Sequence, residues 1–433
     1  MIPKIKFINI MPKFIADFHI HSKYSRATSP QMDLENLDKW AKIKGIRVLG
    51  TGDFTHPEWF KNLKEKLEPS ETGLYNLKSK ISNLKSEDKT KFILTSEISC
   101  IYSKNGKVRK VHIIIFAPDF TTAEKINIQL NRIGNLKADG RPILGLDAKE
   151  LAKIVLNISE NCLIVPAHCM TPWFAIFGSK SGFDSIKECF EEYSKYIFSV
   201  ETGLSADPKM LWSMPDGRKI TLISNSDAHS LQKIGREANV FDTELNYPAI
   251  IKAIKTKDPQ RFLYTIEFFP EEGKYHYDGH RVCGISLSPQ ESKKYNDICP
   301  VCGKPLTIGV LNRVAQLADN PQGFKPENII PFKSLVGLIE IIGEALGKGA
   351  GTKTVEKEYK NLIEKFDNEF KILLDVPISD LKTATLPNIA ESINRVRQGK
   401  VKVDPGYDGV YGKVKIFSEQ EKKEISGQKL LNL

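Results

Sequence analysis

The sequence predicts an α/β protein that begins with a closed barrel of strands and helices and ends in a mainly helical region. Up to about residue 270, short runs rich in β-forming residues alternate with amphipathic stretches of helical period. Roughly seven or eight such units in a row favour a closed barrel over an open, doubly wound sheet. Beyond about residue 311 helical periodicity returns, and the stretch between the two parts has too few apolar residues for a core of its own.

The individual elements follow from local composition. The helix predicted for residues 33–44 is closed by Gly45 at its C-cap, and the helix predicted for 147–159 is opened by an aspartate. The predicted barrel strands are residues 14–21, 47–52, 92–98, 111–117, 162–168, 197–201, 220–225 and 262–268. The predicted C-terminal helices are residues 309–317, 335–346, 355–375 and 386–398, followed by a glycine-rich turn at 404–412. These elements predict a barrel over 1–270, a small metal-stapled module over 271–310 and a mainly helical domain over 311–433.

The composition excludes several classes of protein. A hydrophobic fraction of 41% and a charged fraction of 27% are those of a folded globular chain, and exclude a disordered one. No apolar run reaches the roughly eighteen residues that a membrane span needs, and the N-terminus lacks the pattern of a signal peptide, so we expect a cytoplasmic protein with no membrane partner. The net charge of +10 favours polyanionic partners such as nucleic acid, although lysine-rich genomes give similar values by drift.

The positions of the eight histidines predict a metal site. Six of them lie in or just beyond predicted strands: His19, His21, His56, His112, His168 and His229. Carboxylates fall at the same strand ends: Asp53, Glu97 and Asp227. Because the loops at the carboxyl ends of barrel strands meet at one mouth, these side chains are expected to converge there. For the pair His19 and His21 alone, core or hydrogen-bonded surface histidines would be an equal explanation.

The order HxH, GDxTH, E, H, PAH and SDAH along the chain resembles the PHP superfamily, named for polymerase and histidinol phosphatase. The resemblance implies a distorted seven-stranded (βα) barrel that binds two or three divalent ions (Zn²⁺, Mn²⁺ or Mg²⁺) and hydrolyses phosphoesters. It implies three ligand sets: His19, His21, Glu97 and Asp227; Glu97, His112 and His168; and His229 with Asp53 or His56. Glu97 and Asp227 are the expected catalytic residues. The third set departs from the usual pattern because Phe54 follows Asp53 where many relatives have histidine.

A second metal site is predicted by the cysteines. The ligands HxxC and CxxC stand about fifteen residues apart and offer one closed set of four: His280, Cys283, Cys299 and Cys302. A closed tetrahedral set predicts one structural Zn²⁺. This ion would either stabilise the fold or belong to a zinc finger that faces nucleic acid. His276 is a reserve ligand.

Several loops are candidates for substrate binding. Trp173, Phe174 and Phe177 follow His168 and could stack on a nucleobase or simply plug the barrel mouth. The next loop residues after the HxH pair could touch a substrate phosphate or belong to an ordinary surface loop: Tyr24, Ser25 and Arg26. The segment with Gly349, Gly351 and Lys353 is similar to the GxGxKT hairpin of helix-hairpin-helix modules, or is a plain connection between helices. The turn at 404–412 carries two tyrosines and fits a hairpin or a contact loop.

Taken whole, the chain resembles the endonuclease Q family in its barrel motifs, its zinc segment and its tail VDPGYDGVYGKVKIF. The resemblance implies a metal-dependent endodeoxyribonuclease of DNA repair. It would cut damaged DNA on the 5′ side of deaminated bases (uracil, hypoxanthine, xanthine) and of abasic sites. Two alternatives are a small-molecule phosphoesterase of the histidinol phosphatase kind and a non-enzymatic DNA-binding adaptor. Repair or replication partners are left open.

Overall fold

The computed structural model describes residues 13–78, 89–418 and 420–421. Its strands β1–β17 are, in chain order, Phe14–Asp17, Val48–Gly50, Leu67–Pro69, Tyr75–Leu77, Lys91–Lys104, Lys107–Ala117, Ile143–Leu144, Leu163–Pro166, Ser199–Glu201, Thr221–Ile223, Ala238–Phe241, Phe262–Glu267, Asp278–His280, Ile285–Leu287, Phe332–Ser334, Lys402–Asp404 and Lys413–Lys415. Its helices α1–α15 are Leu34–Lys44, Pro57–Lys66, Phe120–Leu130, Ala148–Ile158, Ile186–Phe190, Pro208–Leu211, Pro215–Lys219, Tyr247–Thr256, Pro289–Lys294, Val310–Leu317, Leu338–Leu346, Lys353–Phe366, Glu369–Leu374, Ile378–Ala384 and Pro387–Arg397.

The first two thirds of the chain form a distorted α/β barrel, so the predicted fold class is confirmed. Strand β1 runs parallel to β2, and β2 parallel to β5. The long strand β5 then pairs antiparallel with β6, which pairs antiparallel with β8, while β9 and β10 form a separate parallel pair. The gap between β10 and β1 is bridged by side chains: Phe18 N donates to Asn225 Oδ1 at 3.0 Å, and Ser226 N donates to Asp17 Oδ1 at 3.1 Å. The antiparallel β5–β6 hairpin and this bridged gap are what distort the barrel.

One strand that the sequence pattern did not predict is β11. It is only four residues long, and it pairs antiparallel with both β1 and β12. Strand β12 also pairs in parallel with β15, with Thr265 opposite Phe332. A strand from beyond the predicted barrel boundary at residue 270 therefore extends the barrel sheet.

The predicted helix ends of α1 and α4 are confirmed by their caps. Asp33 accepts a hydrogen bond from Asn36 N at the start of α1, and Gly45 closes that helix with φ of 87°. Asp147 accepts from Lys149 N at the start of α4. In both helices the caps satisfy backbone groups that the helix itself leaves unpaired.

The C-terminal region is mainly helical, but the prediction of a single helix over residues 355–375 is wrong, because two helices, α12 and α13, cover this stretch. Asp367 has a φ of 78° and ends α12, and the Asn368 side chain then caps α13 by accepting from Lys371 N. Two short polar residues favour turns and caps over helix interior, which explains the break. The predicted turn at 404–412 connects the antiparallel strands β16 and β17.

Two ion pairs join the C-terminal helices to the barrel. Lys44 Nζ on α1 lies 2.6 Å from Glu369 Oε2 on α13, and both side chains are buried. Lys233 Nζ lies 2.6 Å from Glu340 Oε1 on α11. Glu369 also accepts from Tyr359 Oη at 2.7 Å and from Leu338 N at 3.0 Å, so its buried charge is fully paired. These contacts fix α11 and α13 over one side of the barrel mouth.

Candidate metal centre and active site

Four side chains from three barrel strands meet at the mouth of the barrel. His19 and His21 follow β1, Glu97 lies within β5, and Asp227 follows β10. Their ligand-type atoms all lie within 4.8 Å of one another. His21 Nε2 is 3.1 Å from Asp227 Oδ1 and 3.2 Å from Glu97 Oε2. The structure therefore brings together the whole first ligand set expected from the sequence.

A second group shares Glu97. His112 Nδ1 lies 2.8 Å from Glu97 Oε1, and His168 Nε2 lies 3.2 Å from the same oxygen. Glu97 and His112 are buried, the His168 side chain is 12% exposed, and the ligand atoms of all three lie within 4.8 Å of one another. One Glu97 oxygen faces each group, so Glu97 would contribute to both sites if each group held a divalent ion.

The atoms that face the centre of the first group fit a divalent cation. His19 Nε2, His21 Nε2 and Asp227 Oδ1 are buried, and none of them has a hydrogen-bond partner among the described residues. These atoms lie close together, but the angles between the groups are not those of hydrogen bonds. The side chains therefore point toward one place without pairing with one another. Unpaired buried polar atoms are costly and rare. Imidazole nitrogen and carboxylate oxygen together are the ligands that Zn²⁺ and Mn²⁺ accept.

The electrostatics of the cluster also favour a bound cation. Burial alone would lower the pKa of His19, but the carboxylates of Glu201, Glu97 and Asp227 outweigh it and raise that pKa well above its usual value. Burial alone would raise the pKa of Glu97, but the side chains of His112, Arg141 and His19 hold it well below its usual range. The cluster thus stabilises added positive charge at its centre.

Glu201, the last residue of β9, supports the cluster from behind and was missed by the sequence analysis. It is fully buried, and its two carboxylate oxygens lie 3.0 and 3.1 Å from His19 Nδ1. It also accepts from His168 N at 2.8 Å and from Asn225 Nδ2 at 2.9 Å. A carboxylate on the far nitrogen of a ligand histidine fixes the ring tautomer and its orientation. Its place at the end of a predicted strand was the signal that could have identified it.

Arg141 is a second residue that the sequence analysis missed. It lies in the connection between α3 and β7, and its Nη1 is 3.1 Å from Glu97 Oε2. Burial by itself would lower the pKa of this guanidinium, but Glu97 and Asp227 raise it, so it stays charged. A loop arginine has no periodicity to mark it, which is why the sequence pattern did not reveal it.

The residues that were expected to bind a third ion lie outside the two ligand groups. Asp53 accepts from Ser22 N at 2.6 Å and Ser25 Oγ at 2.9 Å, and its Oδ1 lies 2.9 Å from His21 Nδ1, so it orients His21 as Glu201 orients His19. His56 caps α2 and stacks on Tyr24, with ring centroids 4.4 Å apart. The Ser25 hydroxyl is therefore turned toward Asp53.

His229 lies beside the first group, with its ring centroid 4.5 Å from that of His21. None of Asp53, His56 and His229 belongs to either convergent group of the described residues, so a third ion stays a prediction. Asp53, His168 and Asp227 have left-handed φ angles of 49°, 28° and 46°. Such conformations in non-glycine residues cost about 1–3 kcal/mol each and cluster at functional sites.

The second predicted metal site is also assembled. His280, Cys283, Cys299 and Cys302 place their ligand atoms within 4.8 Å of one another, beside the β13–β14 hairpin. Three thiols and one imidazole are a ligand set that suits tetrahedral Zn²⁺. His276 is not part of this group among the described residues. It is buried, its ring stacks on that of Tyr277 at 5.5 Å, and burial lowers its pKa to about 4.

A cavity of about 760 Å³ opens beside the metal groups. His112, His168 and Asp227 form one part of its wall, and Trp173 and Phe174 line it as expected. Residues from later parts of the chain also line it: Glu272, Lys274, Tyr275, Val336, Glu340, Phe370 and Tyr411. The volume is within the range of about 300–1,000 Å³ that is typical of ligand sites.

Phe177 does not belong to this cavity, which corrects the expectation that it contacts substrate. Its side chain is 1% exposed and packs in the hydrophobic core, because the loop turns inward after Phe174. The Arg26 side chain is exposed, and its Nε lies 3.9 Å from Asp139 Oδ2. Gly349 and Gly351 are exposed in the connection between α11 and α12, Lys353 is exposed as the first residue of α12, and none of the three lines the cavity.

A search of the described residues for a helix with the length and apolar character of a bilayer span finds none.

The barrel, its two convergent ligand groups and the separate cysteine site define an α/β protein with the ligand sets of a metal-dependent enzyme. The crystal structure of the lesion-specific endonuclease PfuEndoQ from Pyrococcus furiosus matches 95% of this chain and 97% of its own, at 31% identity and a TM-score of 0.83. The crystal structure of an endonuclease Q complex with a 27-mer duplex substrate, with an abasic lesion at the active site, matches 94% of this chain and 98% of its own, at 31% identity and a TM-score of 0.82. This chain belongs to the endonuclease Q family, as its motifs predicted.

Two further comparisons concern parts of the chain. The protein-family model of the MJ0043 C-terminal domain matches residues 337–400 of this chain. The uncharacterized protein MJ0043 of Methanocaldococcus jannaschii is 37% identical over 259 residues, which are 57% of this chain and 31% of that protein. This chain thus spans about a third of that relative.

Proposed function

We propose that this protein is a metal-dependent endodeoxyribonuclease of DNA repair, which cuts damaged DNA on the 5′ side of deaminated bases and abasic sites. The observation that carries the proposal is a cavity of about 760 Å³ whose wall includes members of both ligand groups that share Glu97, namely Asp227 from the first and His112 and His168 from the second. The endonuclease Q structure with an abasic duplex at its active site supports the choice of damaged DNA as substrate.

In the proposed mechanism, divalent ions held by the two groups would activate water and stabilise the charge of the phosphodiester. Asp227 is the cluster carboxylate that reaches the cavity, with a side chain 26% exposed, and it would hold a divalent ion or accept a proton from the attacking water. Arg141 adds a fixed positive charge beside Glu97 that stabilises a phosphate oxygen. Glu201 and Asp53 hold His19 and His21 in their orientations throughout.

We further propose that the lesion base leaves the duplex before the backbone is cut. Uracil and hypoxanthine differ from normal bases at edges engaged in pairing, so reading them closely requires extrusion into a pocket. The aromatic side chains of Trp173 and Phe174 in the cavity wall offer a stacking surface next to His168. Stacking on an aromatic side chain is worth about 1–3 kcal/mol per base.

The test is a cleavage assay with Mn²⁺ and labelled duplexes that hold a single uracil, hypoxanthine, xanthine or abasic site. An unmodified duplex and a phosphomonoester are assayed beside them. The proposal expects one nick on the 5′ side of the lesion and no comparable cleavage of the unmodified duplex. Hydrolysis of the monoester alone would support a small-molecule phosphoesterase instead. Tight lesion binding without cleavage under any metal would support an adaptor.

A further inference from the structure

The backbone at Asp227 has an uncommon conformation. Its φ of 46° lies in the left-handed region, which residues other than glycine adopt rarely. The side chain belongs to the first ligand group, and its Oδ1 lies 3.1 Å from His21 Nε2. Because a side chain follows its backbone, the place of this carboxylate depends on the contacts that maintain the left-handed conformation.

The guanidinium group of Arg236 contacts the two peptide groups on either side of Asp227. Its Nε donates to Ser226 O at 2.8 Å, and its Nη2 donates to Asp227 O at a longer 3.4 Å. The first carbonyl belongs to the peptide group before the Asp227 Cα, and the second belongs to the peptide group after it. Because each peptide group is planar, the orientations of these two groups define φ and ψ of Asp227. A single planar side chain that binds both carbonyls therefore restrains both angles.

Arg236 is itself fixed to the barrel sheet. It stands just before β11, which pairs antiparallel with β1, the strand that leads to the first two ligand histidines. The preceding residue, Gly235, donates from its N to Asp17 Oδ2 at 2.9 Å. The other oxygen of Asp17 accepts from Ser226 N at 3.1 Å. The loop of Asp227 is thus held on its N–H side by Asp17 and on its carbonyl side by Arg236.

The charge of Arg236 and its hydrogen bonds have opposite effects on a bound cation. Like charges repel, so the positive charge by itself weakens the binding of a divalent ion next to Asp227. The two hydrogen bonds favour binding, because they hold a ligand carboxylate in place. Lysine would keep the charge but not the fork of N–H groups that spans two carbonyls. The Arg236 side chain is partly exposed and lines the cavity, so a small solute can reach the place that it occupies.

We propose that Arg236 is a positioning residue, which keeps the Asp227 carboxylate in the first ligand group by holding the peptide groups on both sides of Asp227. The inference rests on the proposed function, because it concerns the divalent ion that this group would bind. It predicts that loss of the guanidinium weakens ion binding, although loss of the charge by itself would strengthen it.

The test is titration of the full-length protein with Mn²⁺, followed by the electron paramagnetic resonance signal of the free ion. Arg236→Lys keeps the charge but loses the fork, and Arg236→Gln loses both. In each variant the dissociation constant of one Mn²⁺ should rise by about 10–100-fold, the usual effect of losing a support of a metal ligand. In Arg236→Ala, guanidinium ion at a non-denaturing concentration should restore part of the affinity, whereas methylammonium should not.

Lys233→Gln is the matched control, since Lys233 is a cation on the wall of the same cavity that pairs with Glu340 on α11. It should not weaken Mn²⁺ binding. Thermal melting checks the folding of each variant, and Arg236→Lys decides alone if the others unfold.

Unchanged or tighter Mn²⁺ binding in Arg236→Lys would overturn the inference. A higher KM for the lesion duplex with unchanged Mn²⁺ affinity would also overturn it, because Arg236 would then act on the substrate and not on Asp227. If the wild-type protein binds Mn²⁺ and yet cuts no lesion duplex, the proposed function is refuted, and the difference in Mn²⁺ affinity between wild type and variants still decides this inference.

Discussion

Glu201 is the buried carboxylate on which the orientation of His19 depends, and Glu201→Gln is a sharp test of the metal centre. Each of its oxygens serves two donors: Oε1 faces His19 Nδ1 and Asn225 Nδ2, and Oε2 faces His19 Nδ1 and His168 N. A glutamine must turn its NH₂ group toward one of these pairs. Whichever way it turns, a buried donor faces a donor, at a cost of about 1–3 kcal/mol in folding free energy.

The larger effect is expected on metal binding. Loss of the partner behind a ligand histidine typically costs about 10–100-fold in metal affinity or activity. That range corresponds to about 1.4–2.8 kcal/mol. We therefore expect the Mn²⁺ concentration for half-maximal cleavage to rise by about 10–100-fold in Glu201→Gln. Metal titration of the cleavage rate, with thermal melting in excess Mn²⁺, measures both effects.

Glu237→Gln is the matched control. Glu237 is equally buried, but burial raises its pKa well above the usual range, so its carboxyl group is already neutral. Its Oε1 accepts from Phe268 N at 3.2 Å, a bond that the glutamine oxygen can replace. Glu237→Gln should therefore keep the wild-type Mn²⁺ dependence. The reasoning fails if Glu201→Gln binds Mn²⁺ as tightly as wild type, or if both variants weaken it equally.

Three more outcomes are expected. Asp227→Asn and Glu97→Gln should each abolish cleavage in a protein that still melts cooperatively, since they remove ligands at the cavity and leave the barrel core intact; residual cleavage above a tenth of wild type would contradict this. Cys302→Ser should lower both zinc content and melting temperature, whereas Val301→Ala on the same exposed knuckle should change neither; unchanged zinc and melting in Cys302→Ser would exclude the structural zinc site. A fluorescent base analogue at the lesion should brighten on binding Asp227→Asn protein as it unstacks, and less so when Trp173→Ala is added; tight binding without brightening would exclude extrusion of the base.

The sequence by itself determined which side chains make up the candidate metal sites. Histidine and carboxylate at successive strand ends can serve few purposes other than metal binding, and strand period alone places His19 and His21 on one face. Likewise HxxC and CxxC fix four ligands by spacing, because short loops bring such residues together in any fold. The endonuclease Q family was therefore predictable from motifs that are local in the chain.

The tertiary structure decided which residues support those ligands and which form the cavity. Asp53 was a candidate metal ligand, but its oxygens are occupied by hydrogen bonds around His21. Phe177 was expected to stack on a nucleobase or to plug the barrel mouth, but it is buried in the core. The role of Glu201 became visible only through its contact with His19, which lies far away in the chain. The local sequence pattern shows which face of a strand or helix is apolar. The hydrogen-bond partner of a buried polar atom, in contrast, often comes from a segment far away in the chain, and only folding brings the two segments together.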